Sequence, residues 1–148
     1  MTGAGRGIGR EHALMLASEG AAVVVNDLGA QPDGSGADPG PANEVVAEIE
    51  AMGGKAVVNG ADITDFDEAG AMVQQAVDTF GRLDVLVNNA GILRDKTVRK
   101  MTLEEWHSVL QTNLDGVFFC SKAVAEVLPD GGRIVNTASI AGLFPAHG

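Results

Sequence analysis

Four short runs rich in β-branched residues alternate with helical segments, three of which a glycine closes, and this pattern most narrows the folds open to the chain. Residues 22–26 contain three consecutive valines, 56–59 read Ala-Val-Val-Asn, 83–87 read Leu-Asp-Val-Leu-Val and 133–138 read Arg-Ile-Val-Asn-Thr-Ala. Runs this short and apolar suit strands covered on both faces, and strands that alternate with helices pair in parallel. The alternation therefore predicts an α/β fold around a parallel sheet.

The intervening segments read as helices. The first is expected over residues 7–18, with Gly20 as its cap. Residues 31–41, rich in Gly, Pro, Asp and Ser, form a polar loop within the fold. Val45, Ile49 and Met52 then recur at helical spacing up to Gly53. Asp65 and Glu68 make a capping box, after which Ala69, Val73, Ala76, Val77 and Phe80 define an apolar face ending at Gly81. Thr102 and Glu105 make a second box. It opens a helix that is expected to run to the neighbourhood of Pro129, with Trp106, Val109, Leu110, Asn113, Leu114, Val117 and Phe118 on one face.

With 45% hydrophobic residues, the 148-residue chain can bury a sizeable core, and residues 1–148 are expected to belong to a single domain. A net charge of −10 disfavours nucleic acid and anionic membrane surfaces as partners, because both demand a basic footprint. Cys120 is the only cysteine, which excludes an intramolecular disulfide and a cysteine metal cluster. The cytoplasm is the expected compartment, since the N-terminus has no secretory pattern and begins inside a motif. No metal is expected: His12, His107 and His147 lack ligand spacing. A phosphate-binding G-x-x-x-x-G-K-[ST] and a G-x-S-x-G nucleophile elbow are both absent.

The candidate chemistry begins at Thr2-Gly3-Ala4-Gly5-Arg6-Gly7-Ile8-Gly9. A glycine-rich turn opening a helix can face backbone N–H groups and the positive end of the helix dipole toward a pyrophosphate. Asp27, eighteen residues past Gly9 at a strand end, can accept hydrogen bonds from ribose hydroxyls and would repel a 2′-phosphate. Arg6 could attract that phosphate, so the pattern favours NAD while leaving NADP open. Asp62-Ile63 follows the next strand, where an Asp is also a common turn former. In Asn88-Asn89-Ala90-Gly91, amides can tie strands together and the small residues permit close approach of a ligand. Asn113 interrupts an apolar helix face and needs a partner if buried. Ser139 follows the fourth strand at its C-terminal end, where open α/β sheets bind ligands and where a serine can also be a simple turn residue.

Taken in order, these motifs resemble the short-chain dehydrogenase/reductase family across essentially the whole chain. The T-G-x-x-x-G-x-G turn matches through Gly3, Gly7 and Gly9. The resemblance implies a Rossmann-type doubly wound parallel sheet, incomplete at both ends. It also implies that Gly3, Arg6, Gly7, Ile8, Gly9, Asp27, Asp62, Ile63, Asn89, Ala90 and Gly91 bind the cofactor, while Asn113 and Ser139 serve catalysis. In the family, Asn113 matches an Asn on a kinked helix that exposes a carbonyl to a proton-relay water, and Gly116 fits such a distortion.

Residues 5–13, 25–29 and 89–96 further resemble the (3R)-hydroxyacyl-CoA dehydrogenases of multifunctional β-oxidation enzymes. The activity implied is NAD-dependent interconversion of a secondary alcohol and a ketone, with a 3-hydroxyacyl thioester as substrate and a homo-oligomer built partly on residues 102–128. The alternatives are a 3-oxoacyl-ACP reductase, another short-chain dehydrogenase, or a non-catalytic dinucleotide-binding or interaction module. Two departures stand out. The family's first strand would precede Thr2, and its Tyr-x-x-x-Lys is expected beyond Gly148, since the chain contains no tyrosine. The 148 residues alone are therefore expected to be inactive and to fold poorly.

Overall fold

The computed structural model describes residues 1–142. The elements in chain order are α1 (Gly7–Ser18), β1 (Ala22–Asn26), α2 (Gly40–Ala51), β2 (Lys55–Asn59), α3 (Phe66–Phe80), β3 (Val85–Asn88), α4 (Leu103–Leu110), α5 (Gly116–Val124) and β4 (Arg133–Asn136). A π-helical turn (Gln111–Asp115) joins α4 to α5, and a 3-10 turn (Ile140–Gly142) follows β4.

All strand pairing is parallel. β1 pairs with β2 in the register Val24 to Val57, and β3 pairs with β4 in the register Val87 to Val135. Among the described residues, only Met1–Thr2 lies between these pairs. Thr2 bridges to Asn26 on one side, while its N–H donates to the Val87 carbonyl at 3.0 Å on the other. The sheet thus reads β2, β1, the Met1–Thr2 segment, β3, β4.

Successive side chains of a strand point to opposite faces, so the three valines of β1 serve two cores. Val23 and Val25 pack with Ala13, Ala17, Ala42, Val45 and Ile49 of α1 and α2. Val24 faces the other way, onto Ala69, Met72, Val73 and Ala76 of α3 and Cys120 and Val124 of α5. Helices on both faces of a parallel sheet make the architecture doubly wound. Each fully buried aliphatic side chain stabilises this arrangement by about 1.5–3 kcal/mol. Cys120 belongs to the packing: it is fully buried, and burial pushes its thiol up to about 11.

Local signals set the helix ends. Asp65 accepts from the N–H groups of Asp67 and Glu68, and α3 stops where Gly81, at φ +80°, donates to the Val77 carbonyl at 2.8 Å. The Thr102–Glu105 box forms reciprocally, as expected. The Asp65 box does not close. Glu68 instead reaches past the cap to accept from the Asp62 N–H at 2.7 Å.

Several sequence expectations change. Helix α2 starts at Gly40, inside the predicted 31–41 loop, since proline is tolerated in a first helical turn. Met52 is 55% exposed at the end of α2 rather than core, and Met72 takes a core position that the periodicity had not included. The third run forms its ladder over Val85–Asn88, not 83–87. The strand β4 is exposed throughout among the described residues, unlike the interior of β1.

The largest difference concerns residues 102–128. They form two helices with a π-helical turn between them, ending at Val124, and the side buried is Gly116, Cys120 and Val124. Trp106, Leu114 and Phe118 are exposed and Val109, Leu110 and Val117 only half-buried, so the apolar face read from spacing is not the side that is fully covered. Spacing identifies a stripe but not which of two apolar stripes the sheet covers.

The contrast between Ile49 and Met52 is measurable. Ile49→Ala should lower stability by about 2–5 kcal/mol, while Met52→Ala should stay within about 0.5 kcal/mol, both read from urea unfolding midpoints. Equal effects would contradict this assignment of the α2 core.

Candidate functional site

The glycine-rich turn owes its shape to contacts with the segment after β3. Thr2 is fully buried, and its hydroxyl oxygen accepts from the N–H groups of Asn89 and Ala90, both at 3.1 Å. Gly3 has φ +61°, and a Cβ there would stand 2.7 Å from Ala90 Cα. A Cβ on Gly9 would stand 2.0 Å from the Gly3 carbonyl oxygen and 2.5 Å from Asn89 Nδ2, so only glycine lets α1 start this close to the turn. The Asn89 amide donates to the Gly3 carbonyl at 3.0 Å, completing the clasp. Gly7, with φ +53°, faces open space.

That open space belongs to a cleft of about 520 Å3 along the carboxyl ends of the strands. Its walls bring together all eleven residues that the sequence nominated for a cofactor. Gly3, Arg6, Gly7, Ile8 and Gly9 come from the turn, Asp27 from the end of β1, Asp62 and Ile63 from the end of β2, and Asn89, Ala90 and Gly91 from the end of β3. Ile8 presents an apolar side chain that is 64% exposed.

The two carboxylates differ in how they are held. Asp27 Oδ2 accepts from the Gly5 N–H and Oδ1 from the Gly29 N–H, each at 2.7 Å. A carboxylate offers about four acceptor positions, so each oxygen can still accept from a ligand hydroxyl. Asp62 uses Oδ1 for both the N–H and the hydroxyl of Thr64, at 2.9 and 2.8 Å, and so closes a turn while lining the cleft. Arg6 is exposed and donates to the Ala30 carbonyl at 3.4 Å, beside the loop that follows Asp27.

Asn113 and Ser139 are not in the cleft wall formed by the described residues. Asn113 is exposed rather than buried, yet its amide pairs with Ile92, accepting from the N–H at 2.9 Å and donating to the carbonyl at 3.0 Å. It lies within the π-helical turn, where the Gly116 N–H reaches back to the Gln111 carbonyl. Gly116 itself permits α5 to press on Ile63, whose Cδ1 would lie 2.8 Å from a Cβ. Ser139 is exposed beyond β4, and its Oγ accepts from the Ala141 N–H at 3.2 Å, which leaves the hydroxyl hydrogen free to donate.

Sequence reasoning missed the polar floor of the cleft. Asn26 is 2% exposed and donates to Asn59 Oδ1 at 2.7 Å and to the Ala61 carbonyl at 2.9 Å. Asn59 in turn donates to Gln75 on α3 at 2.8 Å. The signal was present, because each of the four strands ends in asparagine and the register pairs Asn26 with Asn59 and Asn88 with Asn136. Among the described residues no group of three or more His, Cys, Asp or Glu side chains gathers as a metal would require. His147 lies outside those residues. No helix among the described residues is long and apolar enough to cross a membrane.

The sequence pattern of the short chain dehydrogenase family matches residues 1–148. The chain belongs to that family. A 3-oxoacyl-[acyl-carrier-protein] reductase of Synechocystis is 46% identical over 146 residues, covering 97% of this chain and 56% of the relative. A peroxisomal hydratase-dehydrogenase-epimerase of Saccharomyces cerevisiae is 47% identical over 150 residues, covering all of this chain and 16% of the relative. The crystal structure of a short chain dehydrogenase from Mycobacterium avium superposes with a TM-score of 0.87 at 49% identity, over 95% of this chain and 53% of that one. The chain thus spans about half the length of two of these proteins and less of the third. Family membership implies a nicotinamide dinucleotide cofactor.

Thr2→Val keeps the shape but removes the acceptor shared by two N–H groups. An orphaned buried donor costs about 1–3 kcal/mol, so chemical denaturation should show a loss of at least that size. Unchanged stability would show that the turn does not depend on this hydroxyl.

Proposed function

We propose that the protein containing this chain is an NAD-dependent oxidoreductase that interconverts a secondary alcohol and a ketone, with a 3-hydroxyacyl thioester as its substrate. The observation that carries the cofactor reading is the convergence of all eleven nominated residues on one cleft beneath a glycine turn. The fit is physical: the turn leaves open space at Gly7, where backbone and the start of the 12-residue helix α1 can face a pyrophosphate. Asp27, anchored by two backbone N–H groups, supports NAD over NADP, because a 2′-phosphate would meet a fixed carboxylate. Arg6 beside the same loop is the feature that would favour NADP.

A bound nicotinamide would accept or return the hydride of the substrate carbon. The chain's own groups then have separate tasks. Gly7, beside open space, lets the backbone approach the dinucleotide, Gly3 and Gly9 let the turn close against its neighbours, and Asp27 and Asp62 accept hydrogen bonds from the adenosine half. Ser139 donates its free hydroxyl hydrogen to the substrate oxygen, stabilising charge as the carbonyl and alcohol interconvert. Asn113 holds the π-helical turn against Ile92 so that a backbone carbonyl there can accept from a water.

The 3-oxoacyl-[acyl-carrier-protein] reductase of Synechocystis supports acyl thioester chemistry and keeps a 3-oxoacyl-ACP reductase as the second reading, while the yeast enzyme supports dehydrogenase chemistry. We further propose that residues 1–148 are part of one dinucleotide-binding domain and that the protein acts in the cytoplasm. The outward apolar residues Trp106, Leu114 and Phe118 support a homo-oligomer.

In the full-length protein, Asp27→Ala should narrow the preference for NAD over NADP measured by calorimetry; equal binding of both cofactors by the unaltered protein would refute the NAD assignment. Ser139→Ala should lower turnover of a 3-hydroxyacyl-CoA by about a hundred- to a thousandfold while leaving NAD affinity nearly unchanged. A variant with full turnover would reduce Ser139 to a turn residue.

A further inference from the structure

Two loops meet beside the cleft. Leu93, in the segment after β3, donates its N–H to the Pro32 carbonyl at 3.1 Å, and Ile92 Cδ1 lies 3.0 Å from where a Gly34 Cβ would stand. The loop after β1 holds its own shape. Gln31 donates to the Ser35 carbonyl and Gly34 to the Gln31 carbonyl, both at 2.8 Å, while Asp33 Oδ1 accepts from the Ser35 N–H and hydroxyl. These contacts wall one part of the cleft near Arg6 and Asp27.

Arg94 stands in that wall. It is half-buried, and its Nε is shielded from solvent with no hydrogen-bond partner among the described residues. No carboxylate among those residues makes an ion pair with it either. In a chain with twenty acidic and ten basic residues, an arginine can readily find a carboxylate. The Asp33 carboxyl is held below its usual range first by the Ser35 hydroxyl and N–H, and only then by the charge of Arg94. A guanidinium stays charged at any physiological pH, and its planar fork of donors matches a phosphate. Arg94 lines the cleft and its side chain makes no hydrogen bond or ion pair among the described residues, so its guanidinium donors are left to a ligand.

We infer that Arg94 is a phosphate-binding residue of this cleft, whose guanidinium donates to a phosphate oxygen of the adenosine nucleotide taken up there. The inference rests on the reading of the cleft as a nucleotide site and adds to it a contact outside the glycine turn. Two sources carry this chemistry: the dinucleotide itself, and the coenzyme A portion of a thioester substrate.

The test is calorimetric titration of the full-length protein and its Arg94→Met and Arg94→Lys variants with NAD, NADP and coenzyme A, using phosphate-free adenosine as control. Arg94→Met should weaken at least one phosphate-bearing ligand by about ten- to a hundredfold and leave adenosine unchanged. Arg94→Lys, which keeps the charge without the fork, should recover part of the loss. Weaker NAD or NADP assigns the contact to the dinucleotide, and weaker coenzyme A alone assigns it to the thioester. Unchanged affinity for every phosphate-bearing ligand, or an equal loss for adenosine, overturns the inference while leaving the nucleotide site standing. If the unaltered protein binds none of the three, the nucleotide reading itself fails and takes the inference with it.

Discussion

The buried Thr2 hydroxyl, shared between the N–H groups of Asn89 and Ala90, is the contact on which the architecture turns. The same residue's backbone connects β1 with β3, because it bridges to Asn26 and donates to the Val87 carbonyl. Sheet continuity, the path of the glycine turn and the position of the segment after β3 are therefore one packing problem. Its solution requires that residues near Thr2 carry almost no side-chain volume. Gly3 presses on Ala90 and Gly9 on the Gly3 carbonyl, so any Cβ would force apart backbone segments that have no room to yield.

A second constraint runs along the carboxyl ends of the strands. A parallel ladder alone would tolerate a slipped register in strands that are short and apolar. The amide pairs Asn26 with Asn59 and Asn88 with Asn136 bond only when the ends are level, at 2.7 and 2.9 Å. Each pair has one buried member, Asn26 or Asn88, and a buried amide gains from low dielectric when satisfied and loses heavily when not, so these pairs penalise a slip, while Asn26 also lines the cleft. Asn88 shows both sides of this: its Nδ2 donates to Asn136 and Ser121, whereas its buried Oδ1 has no partner among the described residues.

Charge is distributed against the average of the molecule. The chain carries a net charge of −10, yet the cleft places Arg6 and Arg94 alongside Asp27 and Asp62. Net charge describes the field far from the surface. A ligand inside a cleft meets individual donors and acceptors at hydrogen-bond distance, where local groups dominate. A strongly acidic protein can thus accommodate an anionic nucleotide.

By itself the sequence determined the elements and their chemistry. The α1 and β1 boundaries, the caps at Thr102 and Gly81 and the parallel α/β class were legible, because turn glycines, β-branched runs and capping residues act through their immediate neighbours, and eleven of the cleft's lining residues followed from the motifs and the resemblance they carry. Only the tertiary structure decided which faces were covered. Helical spacing could not tell that Gly116, Cys120 and Val124 pack inward while Trp106, Leu114 and Phe118 face out. Nor could it tell that Asn113 would bond to Ile92 across a π-helical turn, or that Asn26 would meet Asn59. The two amide contacts join residues 21 and 33 positions apart, the helix packing joins residues farther apart still, and a local pattern contains no information about which distant partner arrives.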